Sequence, residues 1–405
     1  MFDVRSLLSC VKCISIQFVV EEVRMKKALI VANLGGFASF LLNDMDTLIK
    51  MGYQVSYAAN ADKLDWDDTK EKLQQKGVEF LQVDFDSKNP FSSQNIKAYK
   101  QIVSILKNGK YDLIHCHTPI VGLLVRMAAK KYRRKGATVI YTTHGLAFTS
   151  NSSFKSKLIY KNMEHFGARL CDAIVTINRE DYQNCLKMHC RKVYYIHGVG
   201  VDTSKYEEVD IDRSAYRNSI GISDNDIMVL SVGELSDRKN HQIIIEALSR
   251  IADKGKYVYV ICGNGINGGT GEMLRELAEK KSVRLILLGF RHDIPEITVC
   301  SDIGAIPSVR EGLGLAGIQS LAAGVPVVGT DVQGIRDYIR DGENGFLCSA
   351  FDADGFAEAI GKISSLTADH INKMKESCHS VAREFDVDIS KKEMENIYEE
   401  LLAQN

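Results

Sequence analysis

In residues 307–328 the chain reads Pro307-Ser308-Val309-Arg310-Glu311-Gly312-Leu313-Gly314-Leu315-Ala316-Gly317-Ile318-Gln319-Ser320-Leu321-Ala322-Ala323-Gly324-Val325-Pro326-Val327-Val328. A strand-like run, Ile303–Ile306, leads into it and ends in a polar turn that carries Glu311. Glycines follow, then an apolar helix that stops at Gly324, then a second strand over Pro326–Thr330. Strand, glycine turn, helix and strand make a parallel βαβ unit, whose first turn aims free backbone N–H groups at whatever lies above the sheet. Such a helix start favours a diphosphate. Gln319 lies eight positions beyond Glu311, roughly 12 Å along a helix axis at about 1.5 Å per residue. Polar groups that far apart suit the two ends of a nucleotide-sugar with its pyrophosphate between them. An ordinary surface loop with one acidic residue accounts for the same spacing.

Outward from this unit, the same alternation fills the chain. Apolar, β-rich runs recur at Ala28–Asn33, Gln54–Ala58, Glu79–Val83, Leu113–Cys116, Thr138–Thr142, Ala173–Ile177 and Val193–Ile196. Segments of helical periodicity, such as Ser39–Lys50, Asn95–Lys107 and Ile120–Lys131, lie between them. The pattern then restarts with Met228–Val232, Val258–Cys262, Arg284–Leu288, Ile303–Ile306, Val327–Thr330 and Phe346–Cys348. Near-continuous apolar strands separated by helices predict parallel sheets covered on both faces. The expected class is therefore α/β, with two doubly wound Rossmann-like domains facing across a cleft and a joint near Gly198–Lys205. The expected limits are an N-terminal extension over 1–24, a first domain over 25–200, a second over 201–385, and a C-terminal helix within 386–405. Met25-Lys26-Lys27 followed by Ala28-Leu29-Ile30-Val31 reads as a natural start, which is why the extension is set apart.

Composition narrows the function. The 405 residues are 45% hydrophobic and 25% charged with a net charge of −1, so no overall field argues for a nucleic-acid partner. The run Leu7–Val20 is shorter than a membrane span needs and lacks a signal-peptidase site. Ten cysteines, scattered mostly through apolar runs, read as buried thiols in a reducing, cytoplasmic setting. Cys10 and Cys13 form an isolated Cys-x-x-Cys without a second pair. His115 and His117 point the same way along a strand, but no further ligand cluster accompanies them in the sequence, so no metal is expected.

The quoted segment resembles the signature of the group 1 (family 4) retaining glycosyltransferases: Pro-Ser, two residues, Glu-Gly, an apolar helix with a second Glu, then Ala-x-Gly-x-Pro-Val-Val. It departs at one position, where Gln319 stands for the second Glu. The resemblance covers nearly all of the chain from Lys26 onward and implies the GT-B architecture, with the last helix, about Lys391–Leu402, crossing back to the first domain. It implies Glu311, His144 and Lys239 as catalytic residues. Glu311 would contact the donor sugar hydroxyls, as would His144 in Thr142-Thr143-His144-Gly145, and Lys239 would offset the diphosphate charge. In Gly233-Glu234-Leu235-Ser236-Asp237-Arg238-Lys239, Glu234 replaces the family's arginine, so Arg238 is the expected substitute.

The donor-binding expectation further includes Gly35 and Gly36 of the first loop, and Gly233, Gly263 and Gly265 at strand ends of the second domain. Arg291 would lie by the base, Ser308, Gly312, Leu313, Gly314 and Leu315 around the phosphates, and Gln319 at the ribose. Phe37 and His117 are expected on the acceptor side. Gln319 keeps one carbonyl acceptor but loses the charge-assisted bond, about 1–2 kcal/mol or roughly tenfold in donor affinity.

The expected function is transfer of a sugar from a nucleotide-diphosphate donor, a UDP-sugar first, to a glycan or lipid-linked acceptor in surface polysaccharide assembly. The nucleotide-sugar is a co-substrate and neither cofactor nor metal is required. Two other classes stay open: an isomerase of the UDP-sugar 2-epimerase type, and a non-catalytic nucleotide-sugar-binding subunit for which Gln319 and Glu234 would speak. Lys130, Lys131, Arg133, Arg134 and Lys135, near the mixed basic and apolar run Phe154–Lys161, add the expectation of peripheral contact with the inner face of the cell membrane.

Overall fold

The computed structural model describes residues 24–61, 66–148, 154–265 and 269–403. Two parallel sheets organise them. The first contains β1 (Lys26–Leu34), β2 (Tyr53–Asn60), β3 (Glu79–Gln82), β4 (Leu113–His117), β5 (Thr138–Thr143), β6 (Ala173–Thr176) and β7 (Lys192–Tyr195) in the order β3-β2-β1-β4-β5-β6-β7. The second contains β8 (Ile227–Val232), β9 (Tyr257–Cys262), β10 (Arg284–Gly289), β11 (Ile303–Ile306), β12 (Val327–Thr330) and β13 (Gly345–Cys348) in the order β10-β9-β8-β11-β12-β13. Each sheet reverses its order beside its first strand, at β1/β4 and at β8/β11, so a crevice opens beyond the carboxyl ends there. The apolar runs fill these strands because both faces are covered: Ala28 to Ala32 of β1 and Tyr257 to Cys262 of β9 are buried.

All thirteen expected strands form, and one helix differs from expectation. The segment expected as a single helix over Ser39–Lys50 begins earlier, as a 3₁₀ turn over Gly35–Phe40, and breaks at Leu41 before the α-helix Leu42–Lys50. The tight turn is set by the first glycine, whose Cα side packs on the Trp66 ring so closely that a Cβ would lie 2.5 Å from it.

The chain crosses between the sheets twice, side by side. Val201 N donates to Phe385 O at 2.9 Å, and Val387 N donates to Val201 O at 3.0 Å. Beyond the second crossing, Asp386 caps the helix Val387–Leu402, accepting from Asp388 N at 2.9 Å. That helix packs on Leu42–Lys50 of the first half and sets the Tyr398 hydroxyl 2.8 Å from His115 Nδ1. Beneath the cleft, the helix Pro119–Arg133 is held by a fully buried pair, Arg126 Nη2 to Glu164 Oε2 at 2.9 Å, with the Tyr141 hydroxyl donating to Glu164 Oε1 at 2.8 Å. Cys10 and Cys13 and the extension up to residue 23 lie outside the described residues; Arg24 pairs with Asp112 at 3.2 Å. Among the described residues, no helix is long and apolar enough to cross a membrane.

Candidate active site

A cavity of about 430 Å³ opens where the carboxyl ends of the two sheets meet. Asn33 from β1, Thr118 after β4 and His144 after β5 form one wall; Arg238 after β8, with Arg310, Glu311 and Gly312 after β11, forms the other. Each of these residues lies at or just after a strand's carboxyl end, the part of a parallel sheet that a doubly wound chain leaves uncovered.

Glu311 is the centre of the second-domain wall. Its Oε2 takes Lys239 Nζ at 2.8 Å, Arg238 Nη1 at 3.0 Å and the Ser308 hydroxyl at 3.2 Å. Burial by itself would raise its pKa; Lys239 and Arg238 outweigh that and hold it below the usual carboxylate range. All three bonds fall on one oxygen, which leaves Oε1 to meet a ligand. Glu234 does not stand in for an arginine. It turns to Arg238, accepting at 3.1 Å, and to the Ser236 hydroxyl at 2.9 Å, and so holds the Arg238 guanidinium against Glu311. Two carboxylates therefore balance two cations here. Arg310 adds an exposed guanidinium to the same wall.

On the facing wall, His144 is packed edge-on against Phe37 at 5.0 Å between ring centroids, and its Nε2 lies 3.0 Å from His117 Nδ1. His117 in turn stacks at 4.2 Å on His115, whose Nε2 meets the Thr142 hydroxyl at 2.7 Å and whose Nδ1 meets Tyr398. Burial lowers the pKa of His144 to about 4 and of His115 to about 3, and pushes His117 well below its ordinary value, so all three are neutral at neutral pH. A third potential ligand group, not visible from the sequence, joins this cluster: a carboxylate oxygen of Asp44 and ring nitrogens of His115 and His117 lie within 4.8 Å of one another. Both nitrogens of His115 are already hydrogen-bonded.

The two walls touch at Gly312. A Cβ there would lie 2.1 Å from the His144 carbonyl oxygen, so only glycine permits the contact. Asn178 Nδ2 donates to Gly312 O at 2.9 Å and to Asp181 Oδ2 at 2.9 Å, and Gln333 Nε2 reaches Asp181 Oδ1 at 3.3 Å, which closes a buried polar network between the halves. Gly314, at φ +81°, then turns the chain into the helix Leu315–Ala322.

The other expected donor residues are spread more widely. Gly233 packs along the Lys239 side chain, and Gly263 meets the Gly233 carbonyl so closely that a Cβ would lie 1.8 Å from it. Gly265 bridges to Leu235. Gly35 and Gly36 lie in the first 3₁₀ turn, away from the cavity wall. Leu313 is buried, its side chain packed against Gly198, and Leu315 packs on the core; their side chains serve the fold, and any ligand contact there falls to backbone. Arg291 is tied to Asp293, Nε to Oδ1 at 2.7 Å, and Asp293 also accepts from the Tyr216 hydroxyl at 2.8 Å. Gln319 lies outside the cavity wall, beside the hydroxyl of Tyr206. Asp44, Arg310 and the Asn178–Asp181–Gln333 network were missed by sequence reasoning. Arg310 was recoverable from its place beside Glu311, whereas the others rest on long-range pairings.

The chain is similar to known proteins over most of its length. Residues 212–384 match the model described as glycosyl transferases group 1, and residues 34–205 match that of glycosyltransferase family 4. EpsD of Bacillus subtilis (strain 168), named as a glycosyltransferase, is 33% identical over 333 residues, 81% of this chain and 84% of its own length. An Escherichia coli UDP-Gal:α-D-GlcNAc-diphosphoundecaprenol α-1,3-galactosyltransferase is 31% identical over 70% of this chain and 75% of its own. Among solved structures, Anabaena HepE in complex with UDP and glucose superposes with a TM-score of 0.75 at 20% identity, covering 93% of this chain and 100% of that one. WaaG, a glycosyltransferase of lipopolysaccharide biosynthesis, gives 0.70 at 18% identity over 92% of this chain and 99% of its own. These likenesses identify the fold as GT-B, and both family models speak against the epimerase reading. The chain belongs to the group 1, family 4 glycosyltransferases.

Proposed function

We propose that the chain transfers a sugar from a UDP-sugar to a glycan or lipid-linked acceptor in polysaccharide assembly, with retention at the anomeric carbon. The observation that carries this reading is that Glu311 and Arg238 face His144 across one cavity, with Lys239 paired to the same Glu311 oxygen. The diphosphate takes Lys239 and Arg238, Glu311 Oε1 orients the sugar ring, and His144 meets a hydroxyl from the other side. The anomeric C–O bond to the diphosphate breaks as the acceptor oxygen bonds on the same face, and the acceptor proton passes to the leaving phosphate oxygen. The cations stabilise the charge that accumulates on that leaving group, so the step needs no metal. The donor and acceptor classes are supported by the names of the Escherichia coli relative and of the HepE complex. Incubation with a panel of UDP-sugars and mass spectrometry for free UDP tests the reading. UDP release with a matching acceptor supports it; a re-isolated epimer of the donor, or binding without turnover of any donor, contradicts it.

We further propose that the enzyme works in the cytoplasm, in peripheral contact with the inner membrane face where a lipid-linked acceptor would lie. The helices Pro119–Arg133 and Phe154–Ala168 pack side by side; Leu158, Ile159 and Phe166 of the second are exposed, and a basic run ends the first. Arg133 is spent on Asp172 at 2.9 Å, so Lys130, Lys131, Arg134 and Lys135 supply the attraction to anionic lipid. Flotation with acidic liposomes at moderate salt should carry the protein upward; protein left at the bottom contradicts the contact.

A further inference from the structure

We propose that Asn240 is a positioning residue: its side-chain amide ties the loop that carries Lys239 to the loop that carries Glu311, and so holds the Lys239 ammonium where a donor diphosphate meets it. The proposal rests on the reading that Lys239 takes that diphosphate.

Asn240 is buried, and its backbone lies at φ +54°. Among residues with a Cβ, asparagine is one of the few that enter this left-handed region readily. Its Nδ2 carries two hydrogens and donates to two carbonyls, Pro307 O at 3.2 Å and Ala350 O at 2.7 Å. Pro307 opens the segment after β11 and Ala350 lies just beyond β13. One side chain therefore joins the loops at the carboxyl ends of three strands, β8, β11 and β13.

A second tie runs beside the first. Val309 N donates to Arg238 O at 2.9 Å, so the residues on both sides of Lys239 are bonded to the segment 307–309. Lys239 N also donates to Ser236 O at 3.0 Å. With its backbone bracketed in this way, Lys239 Nζ lies 2.8 Å from Glu311 Oε2. An ion pair by itself does not need such bracing, because a lysine stem is flexible and reaches a carboxylate from many backbone positions. Stabilising the charge on a leaving diphosphate does need it, since a cation already in place costs no reorganisation as the charge develops. Arg238 is held separately, by Val309 N and by the Glu234 carboxylate at 3.1 Å. Loss of the Asn240 amide therefore falls on Lys239.

Asn240→Gly isolates the effect, because glycine adopts a positive φ without strain and the change removes only the side chain. Calorimetry on the full chain should show UDP bound about tenfold more weakly. Uridine, which lacks the phosphates, should bind as it does to the wild type when followed by saturation-transfer NMR. In a Lys239→Ala background, Asn240→Gly should weaken UDP by less than about a further twofold, since the amide acts through that lysine. Equal losses of UDP and uridine would make Asn240 a residue of the fold alone and overturn the positioning role. Unchanged UDP affinity in Asn240→Gly, or the full tenfold loss persisting without Lys239, would overturn it as well. UDP affinity unchanged by Lys239→Ala alone is a different failure: it overturns the reading that this lysine takes the diphosphate, and the role of Asn240 with it.

Discussion

Glu311 shows what a single carboxylate does when one oxygen holds the protein and the other is left for the ligand. Lys239, Arg238 and Ser308 all bond Oε2, so removing the charge loosens two cations and, on the proposed function, weakens the hold on the donor sugar. Glu311→Gln should lower turnover by at least about 100-fold, measured as UDP release, with thermal stability little changed. Gln319 is a separate matter. It offers a neutral carbonyl where a carboxylate would form charge-assisted bonds, and Gln319→Glu should tighten UDP about tenfold in calorimetry; unchanged or weaker binding would mean that its contact with Tyr206, and not a ribose, is its role. Glu311 stood out in the sequence because it follows a strand end beside glycines, whereas Lys239 was singled out by the family resemblance alone. Asp44 was not, since a polar residue on an amphipathic helix reads as a solvated face, and only the fold brings it to His117. Glu234 was read as a missing cation, while its bond to Arg238 makes it the residue that aims one.

At the scale of elements, the strands were legible throughout because parallel strands buried on both faces must be near-continuously apolar. The first helix was less so: the periodicity over Ser39–Lys50 is real, but packing of the glycine turn against Trp66 tightens its start into a 3₁₀ turn. The last helix is the element whose docking titrates. His197 Nδ1 lies 2.7 Å from Glu393 Oε1, and the hydrogen bond to Glu393, against the opposing effect of burial, raises the His197 pKa. A raised histidine contributes stability that is complete below its unfolded value of about 6.5 and is lost as pH rises through the folded pKa. Denaturation midpoints should therefore decline across that window, and Glu393→Gln should flatten the decline; an identical slope in the variant would remove His197 from the docking.

For the whole molecule, the sequence showed two doubly wound halves but not how they meet. Their contact depends on Gly312 lying against the His144 carbonyl and on Asn178, Asp181 and Gln333, residues from distant parts of the chain whose pairing no spacing reveals. Gly312→Ala places a methyl 2.1 Å from that carbonyl oxygen. The halves must then separate, so small-angle scattering should show a larger radius of gyration and kcat/KM should fall at least about tenfold, with each domain still folded. A variant as compact and as active as the wild type would show that the cleft does not need this contact.

On the proposed function, a UDP-sugar lodges between the halves with its diphosphate on Lys239 and Arg238 and its ring at Glu311. Crystals soaked with UDP test it most directly. The diphosphate should appear within hydrogen-bond distance of Lys239 Nζ, in the cavity shared with His144 and Glu311. Density for UDP elsewhere on the molecule, remote from Lys239 and Glu311, would contradict the account.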